Sequence, residues 1–135
     1  MQIMSRDDFN YSSILVQHIM ARALITVNLS TTALQVAKMM EQGGIGAILV
    51  KENDNPVGIV TDRDFATKVA AHNLPFDTPV EKIMSSPLIT INHNESISAA
   101  AERMTSKKIR KLAVTENGKV VGIITSTDLV TQLTK

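Results

Sequence analysis

Two short segments carry the residue types and spacing that could do chemistry. One is Gly58-Ile-Val-Thr-Asp-Arg-Asp64, and the other, 64 residues on, is Gly122-Ile-Ile-Thr-Ser-Thr-Asp128. Each reads Gly, two apolar residues, Thr, two variable residues, then Asp. An apolar run ending in Thr is a strand meeting a helix start, and the first turn of a helix exposes N–H groups that no carbonyl of the helix satisfies. Such a turn favours anions, phosphate among them. The Asp falls in that turn, where its carboxylate can accept two hydrogen bonds from a ribose diol, as acidic residues do in dinucleotide folds. Together these groups make a nucleotide-sized site. An Asp that merely complements the helix dipole, worth ~0.3–1 kcal/mol, explains one such residue. It does not explain the same Thr and Asp at the same place twice.

The elements that must position these groups are themselves duplicated. Aligned at an offset of 64 residues and without gaps, the chain is identical to itself at 19 of 71 positions. Val16-Gln-His-Ile-Met20 faces Val80-Glu-Lys-Ile-Met84, and Leu24-Ile-Thr26 faces Leu88-Ile-Thr90. Each copy begins with a β-branched strand, Ala23 to Val27 or Leu88 to Ile91. A polar cluster ending at Thr32 or Ser96 then offers a helix N-cap, followed by apolar residues at helical spacing (Leu34, Val36, Ala37, Met40; Ile97, Ala100, Ala101, Met104). Strands at Ala47 to Lys51 and Leu112 to Thr115 lead through Asn53-Asp-Asn-Pro56 and Glu116-Asn-Gly-Lys119 into strands Val57 to Val60 and Val120 to Ile124. Helices over Asp62 to Ala71 and Ser126 to Leu133 close the units. The expected fold is α/β, two β-α-β-β-α repeats related by a pseudo-twofold. The expected bounds are an N-terminal lead at 1–13, a first repeat at 14–71, a linker at 72–79 marked by Pro75 and Pro79, and a second repeat at 80–135. One small sheet has too little core to stand comfortably alone, which gives duplication a physical reason.

Composition narrows the function classes. With no cysteine, disulfide scaffolds, thiolate nucleophiles, iron–sulfur clusters and Cys-bearing zinc sites are excluded. Fourteen basic residues against 13 acidic ones argue against a nucleic-acid coat or a polybasic membrane binder. No apolar run approaches the ~18 residues of a membrane span, and the polar start lacks the apolar core of a signal peptide, so a cytoplasmic location is expected. His18, His72 and His93 occupy non-matching repeat positions and read as surface or partly packed residues. No Ser, His and Asp fall in a hydrolase order, and no metal site is expected from protein ligands alone. The repeats differ most where the second has Lys107-Lys-Ile-Arg-Lys111 and the first has Gly43-Gly-Ile-Gly-Ala47. Basic side chains supply charge-assisted bonds to phosphate, whereas glycines give only close backbone approach.

The duplicated unit, the Gly-Ile-Val-Thr-x-x-Asp segment and the run Ile109-Arg-Lys-Leu-Ala-Val114 resemble the motifs of a tandem CBS-domain pair, or Bateman module, over about residues 14–135. The resemblance implies a non-catalytic regulatory module that binds adenosine-containing ligands in two clefts, each assembled from both repeats, and that pairs into homodimers. In the first cleft Thr125, Thr127 and Asp128 would hold ribose and the nearest phosphate. Met20, Ile25, Ile45 and Gly46 would enclose adenine there, and Arg110 and Lys111 would reach the phosphates. In the second, Thr61, Arg63 and Asp64 take the ribose and phosphate roles, Met84, Ile89 and Ile109 line the base pocket, and Gly46 and Ala47 lie near the phosphates. Gly46 and Ala47 stand in the second cleft where the pattern is basic, which weakens its phosphate grip unless Arg63 compensates, so the Asp128 cleft is expected to bind phosphorylated adenosine more tightly. The expected ligand is AMP, ADP or ATP, with Mg²⁺ accompanying ATP. Energy sensing would pass to an unknown regulated protein through a ligand-dependent conformational change, because no effector domain is recognised on the chain. An S-adenosylmethionine-binding or nucleic-acid-binding regulator is the alternative.

Overall fold

The computed structural model describes residues 13–134, so the expected N-terminal lead lies outside the described residues apart from Ser13. The first copy of the repeat runs α1 (Val16–Ile19), β1 (Thr26–Asn28), α2 (Ala33–Gly43), β2 (Ala47–Glu52), β3 (Asn55–Thr61) and α3 (Asp62–Asp64), which continues as a π-helix over Phe65–Ala70. The second begins with a 3₁₀ turn at Val80–Lys82 and continues as β4 (Thr90–Asn92), α4 (Ile97–Lys107), β5 (Lys111–Glu116), β6 (Lys119–Thr125) and α5 (Ser126–Gln132). The described strands make two three-stranded sheets, ordered β1-β2-β3 and β4-β5-β6. This is the mixed α/β arrangement expected of the duplicated sequence.

Each sheet is built by the same two connections. The first two strands run parallel because a helix crosses between them, and the last two form an antiparallel hairpin. Their registers match at the 64-residue offset: Ala47 pairs with Thr61, and Lys111 with Thr125. The hairpin turns place Asn53 and Asp54, or Asn117 and Gly118, at positive φ, as a tight turn twisted like its flanking strands requires. Pro56 lies in edge strand β3 at the register irregularity, where its missing N–H breaks no ladder.

Helix ends follow local chemistry. Thr32 caps α2 in a reciprocal box: its hydroxyl accepts from the Gln35 N–H at 3.2 Å, and its own N–H donates to Gln35 Oε1 at 2.9 Å. Ser96 caps α4 by accepting from the Ala99 N–H at 3.1 Å. Both helices end in a left-handed residue, Gly44 at φ 62° and its counterpart Lys108 at φ 57°. Lysine carries a Cβ into that conformation, so Lys108→Gly is expected to stabilise the protein by about 0.5 kcal/mol, after the extra unfolded-state entropy of glycine is subtracted. A higher urea midpoint at unchanged slope reads this out.

Two elements differ from the sequence expectation. The first strand of each copy lies later than expected, at Thr26–Asn28 and Thr90–Asn92, the residues that hold parallel register with the middle strand. Just before it, the Ile25 and Ile89 carbonyls accept from the Leu49 and Ala113 N–H groups at 3.0 and 3.2 Å. The helix after β3 widens from Phe65 onward, with the Ala71 N–H reaching back five residues to the Ala66 carbonyl at 3.1 Å.

The chain divides into two compact units, one of residues 24–88 and the other of the described residues up to Ala23 together with Ile89 onward. The segment that leads each repeat is therefore built into the unit that holds the other repeat's sheet. In the unit of residues 24–88, Ile59 and Ser85 exchange N–H···O bonds at 3.0 and 2.8 Å, and Val80 and Ile83 join Val36, Ile48, Val50 and Val60 in the core. In the other unit, Ala21 and Ile123 exchange bonds at 2.9 Å each, and Val16 and Met20 join Ile91, Leu112, Val114 and Ile124. Each of these buried apolar side chains contributes ~1.5–3 kcal/mol of transfer free energy. Gly58 and Gly122 allow this seating: a Cβ at Gly58 would lie 2.6 Å from Met84 Sδ, and one at Gly122 would lie 2.7 Å from the Ala21 carbonyl oxygen and 2.8 Å from Met20 Sδ.

One ion pair gives the second unit a pH dependence. Arg103 grips Glu95 in two-pronged fashion, Nη1 to Oε2 at 3.1 Å and Nη2 to Oε1 at 2.9 Å. The Arg103 hydrogen bonds hold the Glu95 carboxyl below the ordinary carboxylate value, against the opposing effect of partial burial, and the Asn92 N–H adds to the lowering. A carboxyl depressed in the folded state stabilises the fold above its unfolded pKa, and that stability is lost as pH falls through the folded value. Urea midpoints measured downward from pH 7 should therefore fall on the acid side of the ordinary glutamate range. Glu95→Gln should flatten that fall, with about 1 kcal/mol lost at neutral pH.

Candidate functional site

Each unit brings the start of its middle strand beside the end of its last strand. Ala47 pairs with Thr61, and the Asp62 N–H then donates to the Gly46 carbonyl at 3.1 Å. In the other unit Lys111 pairs with Thr125, and the Ser126 N–H donates to the Arg110 carbonyl at 2.8 Å. The strand-end Thr, the helix-start Asp and the residues at 46–47 or 110–111 thus share one corner. The leading Met lies over the same strand, Met84 against Gly58 and Met20 against Gly122.

The corners share a cap. Asp64 Oδ2 accepts from the Thr61 N–H at 2.8 Å and from the Thr61 hydroxyl at 3.3 Å. Asp128 Oδ2 accepts from the Thr125 N–H at 2.9 Å, while the Thr125 hydroxyl accepts from the Asp128 N–H at 3.2 Å. This reciprocal box orients each carboxylate at the first turn.

Their surroundings differ. Asp64 is buried, and its Oδ1 meets the Lys68 ammonium at 3.1 Å and accepts from the Ser85 hydroxyl at 3.4 Å. Asp128 is half-buried, and among the described residues nothing donates to its Oδ1. Lys68 and Ser85 were not singled out from the sequence. Their signals are weak: Lys68 stands four residues after Asp64 on a helix face, and Ser85 directly follows the repeated Met84.

The remaining candidates fall as follows. In the unit of residues 24–88, Ile25 and Arg63 are exposed, Ile45 and Met84 pack on the core, and Gly46 is half-buried. In the other unit, Met20 is buried, Ile89 and Ile109 pack on the core, Lys111 is half-buried, and Arg110 and Thr127 are exposed. Ile25, Ile45 and Gly46 thus belong to a different unit from the other members of the first cleft, as Ile89 and Ile109 do from those of the second. An open hollow of about 570 Å³, lined by Thr31, Gln35, Lys38, Met39 and Lys51 among others, shares no residue with either corner. The corners carry the repeated chemistry and the hollow does not, so the corners are the better candidates. The His93 ring hydrogen-bonds the Gln17 side chain and lies 3.5 Å from Glu116, and no group of three or more described His, Asp or Glu residues is placed to hold a metal. Among the described residues no helix is long and apolar enough to cross a membrane.

Comparison with known proteins bears on this geometry. An uncharacterized protein of Methanopyrus kandleri is 36% identical over 120 residues, which span 87% of this chain but only 61% of that relative's length. Three solved structures share the fold. A conserved protein from Pyrococcus horikoshii superposes with a TM-score of 0.87 at 31% identity, covering 92% of this chain and 95% of its own. The CBS domain pair of protein MJ0100, solved in complex with 5′-methylthioadenosine and S-adenosyl-L-methionine, gives 0.80 at 29% identity, covering 89% and 95%. A hexameric CBS-CP12 protein from bloom-forming cyanobacteria gives 0.80 at 27%, covering 87% and 69%. The family model of the CBS domain matches residues 16–71 and again residues 80–135, and each match includes one of the two Thr–Asp corners. By its duplicated sheet, its paired corners and these matches, the chain belongs to the CBS domain family and carries two copies of that domain.

Proposed function

We propose that this chain is a regulatory module that takes an adenosyl ligand, with Thr125 and Asp128 holding the ribose. Arg110 and Lys111 take the phosphates of AMP, ADP or ATP, Thr127 assists at the nearest phosphate, and Mg²⁺ accompanies ATP. The corner of Thr61, Arg63 and Asp64 is the counterpart in the other unit. The observation that carries this reading is the Asp128 carboxylate. One of its oxygens is fixed by the Thr125 N–H and the other receives no donor from the described residues, beside a basic pair that the other corner lacks. A charged acceptor held in place before the ligand arrives suits a ribose diol.

A second reading keeps the site and changes the ligand. The MJ0100 complex favours a sulfur-bearing adenosyl compound, for which the ribose and adenine contacts are unchanged and the basic pair has no phosphate to meet. In either case the module is non-catalytic, forms a homodimer in the cytoplasm and acts on a separate protein, and the ligand shifts its conformation only by as much as its affinity differs between states. Native mass spectrometry of the purified chain, followed by calorimetry with AMP, ATP, S-adenosylmethionine and methylthioadenosine, tests this. Tightest binding of a phosphorylated compound supports the first reading, and tightest binding of a sulfur compound supports the second. Salt-steep oligonucleotide binding without affinity for any of the four contradicts both. Light scattering at twice the chain mass supports the dimer.

A further inference from the structure

The two corners share a cap but not their company. Lys68 Nζ, besides its 3.1 Å ion pair with Asp64 Oδ1, donates to the Ile83 carbonyl at 2.9 Å and lies 3.4 Å from the Met84 carbonyl and 3.5 Å from the Ser85 hydroxyl. An ammonium has three protons, and these oxygens use them. The Ser85 hydroxyl meets the same Asp64 oxygen at 3.4 Å, and Ser85 is fixed through its backbone to Ile59. Both oxygens of Asp64 are therefore engaged, and its side chain is only 7% exposed. At the 64-residue offset Lys68 corresponds to Gln132 and Ser85 to Ala21, so the second corner has neither the ammonium nor the hydroxyl.

We propose that Lys68 and Ser85 form an internal stand-in for a ligand, which closes the Asp64 corner, so that the chain takes one adenosyl ligand at Asp128 and none at Asp64. The Ser85 hydroxyl occupies the acceptor that a ribose hydroxyl would need, and Lys68 supplies the compensating charge. A ribose could reach Asp64 only by separating an ion pair that the Ile83 and Met84 carbonyls also hold, leaving buried charge without its partner. This inference rests on the adenosyl reading above and adds the number of sites and the residues that set it.

The repeats supply the reciprocal test. Lys68→Gln with Ser85→Ala gives the first corner the residues of the second, and Ala21→Ser with Gln132→Lys does the reverse. AMP and methylthioadenosine are titrated by calorimetry into the wild type and both double variants, with thermal melts confirming that each is folded. The expected stoichiometry is one per chain for the wild type and two for the first double variant, with affinity falling at least tenfold in the second. Should Lys68→Gln lower folding, Ser85→Ala alone is expected to reveal a weak second site. Two equal sites in the wild type overturn the proposal, as does a single site in Lys68→Gln/Ser85→Ala alongside unweakened binding in Ala21→Ser/Gln132→Lys. Absence of heat with both compounds in all variants overturns the adenosyl reading itself and this inference with it.

Discussion

Gly122→Ala is expected to destabilise the protein by about 3 kcal/mol, the upper end of what one added methyl does in a packed site. The new Cβ would lie 2.7 Å from the Ala21 carbonyl oxygen, and that carbonyl is held in a two-way exchange with Ile123 at 2.9 Å, so it cannot retreat without losing its bonds. The same change at Gly58 meets first the flexible end of Met84, at 2.6 Å, and the Ser85 carbonyl only at 3.1 Å, so about 1–2 kcal/mol is expected there. Urea unfolding of the two variants gives both values. Equal, negligible losses would show that the leading segments are not seated on these strands.

The second large effect is on binding. Asp128→Ala should weaken the adenosyl ligand about 100-fold. Two hydrogen bonds from ribose to a charged acceptor are worth ~1.5–3 kcal/mol each against solvent, of which a half-buried site retains part, and each 1.4 kcal/mol is a factor of ten. The variant also loses the bond to the Thr125 N–H, at about 1 kcal/mol of stability, so affinity is compared below its melting range. Asp64→Ala should show the opposite balance. It leaves Lys68 without its carboxylate and lowers stability, while ligand affinity changes by less than threefold. Equal losses of affinity in the two variants would contradict the asymmetry of the corners.

Much of this was legible in the sequence because it is local. The N-caps at Thr32 and Ser96, the hairpin turns at Asn53 and Asn117, and the middle strands follow from a few neighbouring residues each, and the duplication shows each signal twice. The Thr–Asp spacing likewise fixes a capping box, since three residues is the reach from an N-cap to the third helical position. The exchange of leading segments was not legible. Val16–Met20 and Val80–Met84 are so alike that either suits either sheet, and the pairing of Ala21 with Ile123 joins residues about a hundred apart in the chain. The widened turn after Phe65 leaves no mark in apolar spacing. Lys68 reads as an ordinary surface residue until the carbonyls of Ile83 and Met84, brought by that leading segment, are seen to share its ammonium.

The most direct test of the central claim is a crystal structure of the chain with whichever of AMP, ATP, S-adenosylmethionine and methylthioadenosine binds most tightly. The ribose hydroxyls are expected within about 3 Å of the Asp128 carboxylate, at ordinary hydrogen-bond distance. Asp64 should still be paired with Lys68. A ribose held elsewhere, or equally by both aspartates, would contradict the assignment.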